Sequence, residues 1–334
     1  MAETTVKKSS SRILRFILIP EVTSIIPVIV VSLVAMILNP IFLRKENLLT
    51  LMSTLIASWG ILTVGQSFVI MSGGLDISVG NTFTLAGMLF CYLAHQHTPL
   101  PLCILAVFVV TIAMSLLNAG LILKFHVAPF VATMSVSFVG KGLSNVVNFG
   151  ADMSISYGVK DSILKFCDLL GEKPFGISIA AFVYIALIFI AQFILKKTMF
   201  GRKIYAVGDN NRVAKIAGIR VSRVRTICFV INGIMIGIAT VLWVGYYSAC
   251  TPTQGNPWSF ITIAAAAMGG ISLKGGSGSM FGLFCGVLLM ALVYNLITLL
   301  NVDTNLQNIF IGIFLAMSVI LDSIRREKTL GKNI

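Results

Sequence analysis

Charge is scarce in this chain, and acid is scarcest: 12 Asp and Glu stand against 25 Lys and Arg, and charged residues make up only 11% of the 334 positions. A soluble domain carries about a quarter. Hydrophobic residues fill 57% of the chain, with a mean hydropathy of +0.96, which excludes an ordinary soluble domain. The ten-residue alternation of a membrane β-barrel is also lacking, because the Ile, Leu, Val, Phe and Ala residues come in continuous blocks. In lipid every backbone polar group must be paired internally, which leaves helices as the alternative to barrels. The expected fold class is all-α, a polytopic helical membrane protein.

Other absences narrow the chemistry. No G-x-x-x-x-G-K-[ST] occurs, since Gly140-Lys141-Gly142 is not followed by Ser or Thr, so the chain is expected not to hydrolyse ATP itself. His95, His97 and His126 lie apart at the ends of apolar runs, and none of the six cysteines is paired at metal-ligand spacing. Neither a metal, a nucleophile nor a cofactor is expected, and the cysteines read as small core residues. A net charge of +13 would point to nucleic acid in a soluble protein, but here the basic residues flank apolar runs. The orientation rule for membrane helices accounts for them without a nucleic-acid partner.

A span needs about 20 apolar residues. The sequence predicts ten, some broken or re-entrant, at 22–43, 48–71, 77–95, 100–123, 127–147, 177–195, 226–248, 258–273, 280–300 and 305–323. Both termini then lie on one side. With them in the cytoplasm, 19 basic residues fall inside and five outside, with Lys141 within a span. That asymmetry places the N- and C-termini inside. The organisation is a cytoplasmic tail (1–20), one transmembrane domain (21–324) and a second tail (325–334). The first apolar run lacks a small-residue cleavage site after it and reads as a retained span.

Two loops stand out. Residues 148–176 are polar and rich in Gly, and form either a short external cap or a plain connection. Residues 196–225 hold nine of the 25 basic residues, with Asp209 as their only acid. Asp209 and Asn210 are helix-start residues and Gly218 a helix stop, with about two turns between them. Val213, Ala214, Ile216 and Ala217 give that helix an apolar stripe, with Arg212 and Lys215 beside it. Such a helix fits a groove in a soluble partner or lies flat on anionic lipid; glycines on both sides articulate it, which favours the partner.

Two spans are irregular. The third opens on Gly73-Gly74-Leu75-Asp76-Ile77-Ser78-Val79-Gly80-Asn81, and the eighth runs into Gly269-Gly270-Ile271-Ser272-Leu273-Lys274-Gly275-Gly276. Paired Gly-interrupted segments in two halves of a chain point to a pathway built from broken helices, although Gly also lets helices pack closely. Asp76, the acid nearest membrane depth, either caps a helix start with Ser78 and Asn81 or contacts a substrate. Lys141 either snorkels to an interface or pairs with a carboxylate such as Asp76. Trp258 and Phe260 belong either to an interfacial aromatic belt or, for Trp258, to a stacking surface for a sugar.

Phe68-Val69-Ile70-Met71-Ser72-Gly73-Gly74-Leu75-Asp76-Ile77-Ser78-Val79-Gly80 resembles the signature of ribose-type sugar permeases of ATP-binding cassette importers. Pro129–Met134, Phe200–Gly208, Ala214–Ile219 and Met268–Gly278 agree in order, covering about residues 40–323. Trp258–Ala264 carries no acid where the family has an acidic run, and Gly208-Asp209-Asn210 stands in place of its Gly-Gly-Asn. The resemblance implies a bacterial inner-membrane permease that imports a monosaccharide. It also implies a second permease copy, a cytoplasmic ATPase and an extracytoplasmic solute-binding protein. Carried over by position, Arg212–Gly218 is the helix that couples to the ATPase, and Gly73–Gly80 lines or supports the pathway.

Overall fold

The computed structural model describes residues 20–155 and 158–302, with positions 306, 309, 312, 313, 316, 317 and 320 beyond them. The two tails and most of the expected tenth span (305–323) lie outside the described residues.

The chain begins with α1 (Pro20–Leu38), largely exposed from residue 25 onward, and a 3₁₀ turn (Pro40–Leu43) capped by the Asn39 side chain. Next come α2 (Lys45–Leu51), a wide π-turn (Met52–Ile56) and α3 (Ala57–Met71), which follow one another without a break. The 27 residues from Lys45 to Met71 rise about 40 Å. Every residue of α3 is buried, so it is the central mast of the bundle. Its hydroxyls turn inward on their own helix: Thr63 donates to the Trp59 carbonyl and Ser67 to that of Val64, both at 2.6 Å.

Next come α4 (Val79–His95), α5 (Leu100–Leu123) and α6 (Pro129–Val147), which pack against one another. Prolines at the first turns of α5 and α6 start them without forfeiting a helical hydrogen bond. The segment expected as an external loop contains α7 (Asp161–Gly171), which buries Ile163, Cys167 and Leu170 on one face. It packs against α11 (Val221–Tyr247), where the lack of a side chain at Gly245 lets Leu170 approach. That segment is therefore a folded cap. It also holds the one departure from all-α among the described residues, a two-residue antiparallel ladder of β1 (Met153–Ser154) with β2 (Ala249–Cys250).

After a 3₁₀ turn (Pro174–Gly176) come α8 (Ile179–Lys197), α9 (Met199–Asp209), the short α10 (Asn211–Ile216), and α11. The chain closes with α12 (Trp258–Met268) and α13 (Met280–Leu299). Helices thus occupy nine of the ten predicted positions, but the eighth stops five residues early, at Met268, where the glycines begin. Five described helices (α5, α6, α8, α11 and α13) are long and apolar enough to cross a membrane. Three shorter apolar ones, Ile25–Leu38, Ala57–Met71 and Trp258–Met268, accompany them. All six cysteines are buried and free.

Candidate functional site

Both irregular spans are broken in the same way. α3 ends at Ser72; Gly73 (φ +80°) turns the chain left-handed, and the Gly74 amide returns to the Val69 carbonyl at 3.0 Å. α12 ends at Gly269; Gly270 (φ +83°) does the same, with the Ile271 amide returning to Ala266 at 3.0 Å. Glycine reaches this conformation at no steric cost. The two Gly-Gly pairs are equivalent in sequence but offset by one in structure. Gly73, the first of its pair, plays the part of Gly270, the second of its own.

The breaks meet beneath the basic loop. The Gly276 amide donates to the Met71 carbonyl at 3.0 Å. Gly208, near the end of α9, lies against both, and a Cβ there would collide with the Met71 oxygen and the Gly276 nitrogen. Arg225 ties the assembly together: its guanidinium donates to the carbonyls of Ser72 (3.0 Å) and Gly73 (3.3 Å) and to Asn211 Oδ1 (3.2 Å). Tyr205 donates its hydroxyl to the Gly278 carbonyl at 3.0 Å.

α10 projects from this junction. Asn210 Oδ1 accepts from the Arg212 and Val213 amides at 3.0 and 3.1 Å, satisfying donors that the helix start would otherwise orphan. Gly218 (φ +79°) ends the helix, with the Ile219 amide on the Ala214 carbonyl. The stripe divides: Ala214 is buried against the body, whereas Val213 is 59% exposed and Ile216 81%. Asp209, Arg212 and Lys215 are exposed around them. The result is a cationic stub with two apolar side chains facing out.

Deeper in the bundle, the starts of α4 and α12 face each other. The Gly80 amide donates to Ser259 Oγ and the Gly255 amide to Thr84 Oγ1, both at 2.9 Å. Gly80 and Gly255 pack backbone to backbone, each occupying the space a Cβ on the other would need. α12 is about 16 Å long, half of a hydrocarbon core about 30 Å thick. Trp258 opens it, only 6% exposed. It lies 4.7 Å from the Phe83 ring, 4.9 Å from Trp243 and 6.5 Å from Trp59, centroid to centroid. The chain's three tryptophans therefore form one cluster, Trp59 and Trp258 buried and Trp243 half-buried, and Trp258 faces the interior of the bundle. Phe260 is 36% exposed and stands outside these ring contacts.

Asp76 is fully buried between the break and three helices. Its Oδ1 accepts from the Ser78 amide (2.8 Å), Ser78 Oγ (2.6 Å) and Asn118 Nδ2 (3.1 Å); its Oδ2 accepts from Asn232 Nδ2 (2.9 Å). It thus closes a turn on Ser78, the N-cap residue of α4, without capping the helix amides themselves, and pins that start to α5 and α11. Lys141 is exposed on α6, so of its two readings the pairing with Asp76 does not form, and amide and hydroxyl donors satisfy the carboxylate. Asn81 donates to Ser137 Oγ at 2.8 Å, tying α4 to α6. Sequence reasoning missed Asn118, Asn232 and Gln66, whose side chain donates to the Asp76 carbonyl at 2.9 Å. The available signal was an amide side chain inside an apolar run. It also missed Arg225, which no local pattern distinguishes from the other basic residues of its loop, and read Gly208 as a hinge without its contact to Met71 and Gly276.

Comparison with known proteins gives the family. Residues 46–319 match the family model described as branched-chain amino acid transport system / permease component. The ribose import permease protein RbsC of Bacillus subtilis is 31% identical over 88% of this chain and 89% of its own length. That of Haemophilus influenzae is 27% identical over 96% and 98%. The L-arabinose permease AraH of Azospirillum brasilense is 31% identical over 86% and 83%. Among solved structures, an inward-facing metal-chelate type ABC transporter gives a TM-score of 0.45 at 12% identity, over 91% of this chain and 97% of that one, too distant to argue from. With a family model spanning 46–319 and relatives aligned over most of its length, the chain belongs to the ribose-type branch of the permease components of ATP-binding cassette importers.

Proposed function

We propose that this chain imports a monosaccharide, a pentose, hexose or related furanose-like solute, by alternating access through a ten-span bundle with both termini in the cytoplasm. It is a permease subunit in the bacterial inner membrane; ATP hydrolysis belongs to a partner ATPase, and a solute-binding protein serves it from outside. Two permease subunits form the pathway. The ribose and arabinose permeases among its relatives support a sugar over the branched-chain amino acid in the family description, and over a nucleoside.

One observation carries the mechanism: the cationic stub at α10 is joined through Arg225 and Gly208 to both broken segments at once. An ATPase that closes on ATP moves α10 only through its differential affinity for two permease states. Movement of α10 is passed by Arg225 to Ser72 and Gly73 and by Gly208 to Met71 and Gly276. The segment Gly73–Gly80 then shifts the start of α4, and Gly269–Gly278 pulls the end of α12, whose start at Trp258 follows as the other end of the same short helix. Separation of Gly80 from Gly255 opens the space beside Trp258, whose ring face suits the apolar face of a sugar. Asp209, Asn210, Arg212, Val213, Ala214, Lys215, Ile216 and Gly218 form the coupling element. Gly74, Asp76, Ser78, Asn81, Gly269 and Gly270 hold the pathway's shape, within the single transmembrane domain 21–324.

Sidedness tests this reading. A cysteine in place of Lys215 should react with a membrane-impermeant thiol reagent only after the cells are opened; reaction in intact cells would overturn the proposal. The linkage has its own test. Gly208→Ala forces backbone against backbone, and such overpacking costs about 1–3 kcal/mol. Uptake should fall at least about tenfold on that scale, at normal membrane abundance by immunoblot. Full uptake by G208A would show that this contact transmits nothing.

A further inference from the structure

A pocket of about 480 Å³ opens on the basic side of the bundle between α9 and the start of α11. Lys203, Arg220 and Arg223 line it together with Phe200, Val224 and Ile227, and no acidic side chain does so among the described residues. The start of α11 opens here too. Arg220 stands at its N-cap without a side-chain hydrogen bond, so the first amides of a 27-residue helix are left to an outside acceptor. Three cations and a helix start with no counter-charge describe a site for a phosphate or carboxylate.

The same face of α11 continues upward. Four residues beyond Ile227 lies Ile231, then Ile234 and Met235. These line a second cavity of about 110 Å³ with Phe68 of α3 and Leu187, Ile190 and Ile194 of α8. This groove is wholly apolar, with Ile190 54% exposed in its wall, and Ile227 of the pocket below is 39% exposed. From Val224 to Met235 the helix rises about 16 Å, close to the ~15 Å depth of one hydrocarbon leaflet. A cationic pocket at an interface with an apolar furrow above it on the same helix face complements an amphiphile. An acidic side chain of the ATPase would fill the lower half and leave the furrow bare.

We propose that the cleft between α8, α9 and α11 binds one anionic phospholipid of the inner leaflet, its phosphate on Lys203, Arg220 and Arg223 and an acyl chain along Ile190, Ile231 and Met235. The lipid lies directly behind the coupling element, since Ala217 and Gly218 form part of the pocket wall. It braces the root of α11, the helix that carries Arg225. The proposal rests on the cytoplasmic placement of residues 196–225, but its test is blind to sidedness, so the two fail separately.

The full-length permease in detergent would be incubated with phosphatidylglycerol or phosphatidylcholine and the retained lipid counted by native mass spectrometry. Wild-type protein should retain phosphatidylglycerol at least about tenfold over phosphatidylcholine. Each basic residue near a membrane surface is worth about a fivefold change in anionic-lipid binding, so K203Q/R220Q/R223Q should weaken retention by on the order of a hundredfold. Ile190→Trp, which fills the furrow and leaves the cations alone, should also lower retention, and keeps the test open if the triple variant does not fold. Equal retention of the two lipids would overturn the proposal. So would displacement by inorganic phosphate with no effect of I190W, which would make this a free-phosphate site. Loss of ATPase co-purification by the triple variant with phosphatidylglycerol retained would assign the pocket to the ATPase instead.

Discussion

Replacing Val213 and Ile216 together by aspartate is expected to reduce ATP-driven uptake to background while leaving the permease folded and inserted. Both side chains are mostly exposed in the permease alone, 59% and 81%. Surface substitutions away from packed features change stability by about 0.5 kcal/mol or less. The melting temperature should therefore move by no more than about 3 °C. On the proposed coupling, the same side chains enter a groove of the ATPase. Burying a Val or Ile contributes about 1.5–3 kcal/mol, and an unpaired carboxylate put there costs several more. Docking weakened by more than 3 kcal/mol is weaker by more than about a hundredfold. Uptake in vesicles carrying ATPase and binding protein, beside a co-purification assay, reads both consequences. Normal uptake by V213D/I216D would remove α10 as the coupling element. Ala214 is the wrong residue for this experiment, because it is buried against the permease itself.

The second large effect separates two substitutions at Asp76. Asp76→Ala removes the acceptor for Ser78, Asn118 and Asn232; Asn118 keeps Ser78 Oγ, but the Ser78 amide, the Ser78 hydroxyl and Asn232 Nδ2 are left as three buried donors without a partner. Each such donor costs about 1–3 kcal/mol, so several kcal/mol are lost at the one point where α4, α5 and α11 are pinned together. Membrane abundance and melting temperature should both drop sharply. Asp76→Asn keeps an oxygen for the Ser78 amide. Its new NH₂ group faces Asn232, whose Oδ1 is buried without a hydrogen-bond partner. Rotation of the Asn232 amide presents that oxygen and restores the contact, so D76N should hold near-normal abundance and most of its uptake. A D76N protein of normal abundance that transports nothing would mean that the carboxylate charge itself meets the solute.

Much of this was legible in the sequence because it is local. Apolar blocks long enough to be helices, Pro at their starts and Gly at their ends fix nine helices to within a few residues, apart from the shortened α12 and the early start of α11. Asn210 and Gly218 bound α10 by hydrogen bonds that reach no farther than five residues along the chain. What misled the reading also has a local cause. Trp258 follows a Pro and Gly-rich loop at the end of an apolar run, where a belt residue would stand, yet the loop folds inward and takes the ring with it. Lys141 and Asp76 are opposite charges in apolar surroundings, which makes them look like a pair. Once Asp76 is satisfied by four donors, it has no need of a cation.

The sequence by itself determined that the chain is a helical membrane protein, where its helices break, and which short basic helix stands clear of the bundle. These follow from hydropathy, backbone sterics and caps, all of which act over a few residues. Only the tertiary structure decided that the two breaks meet at Gly208, that Arg225 spans from Asn211 to Ser72, and that Asn118 and Asn232 converge on Asp76. It also decided that one face of α11 carries cations below and a furrow above. Those contacts join residues up to about two hundred positions apart, and which of them form depends on how closely the helices pack, a property of the whole bundle and of no single segment.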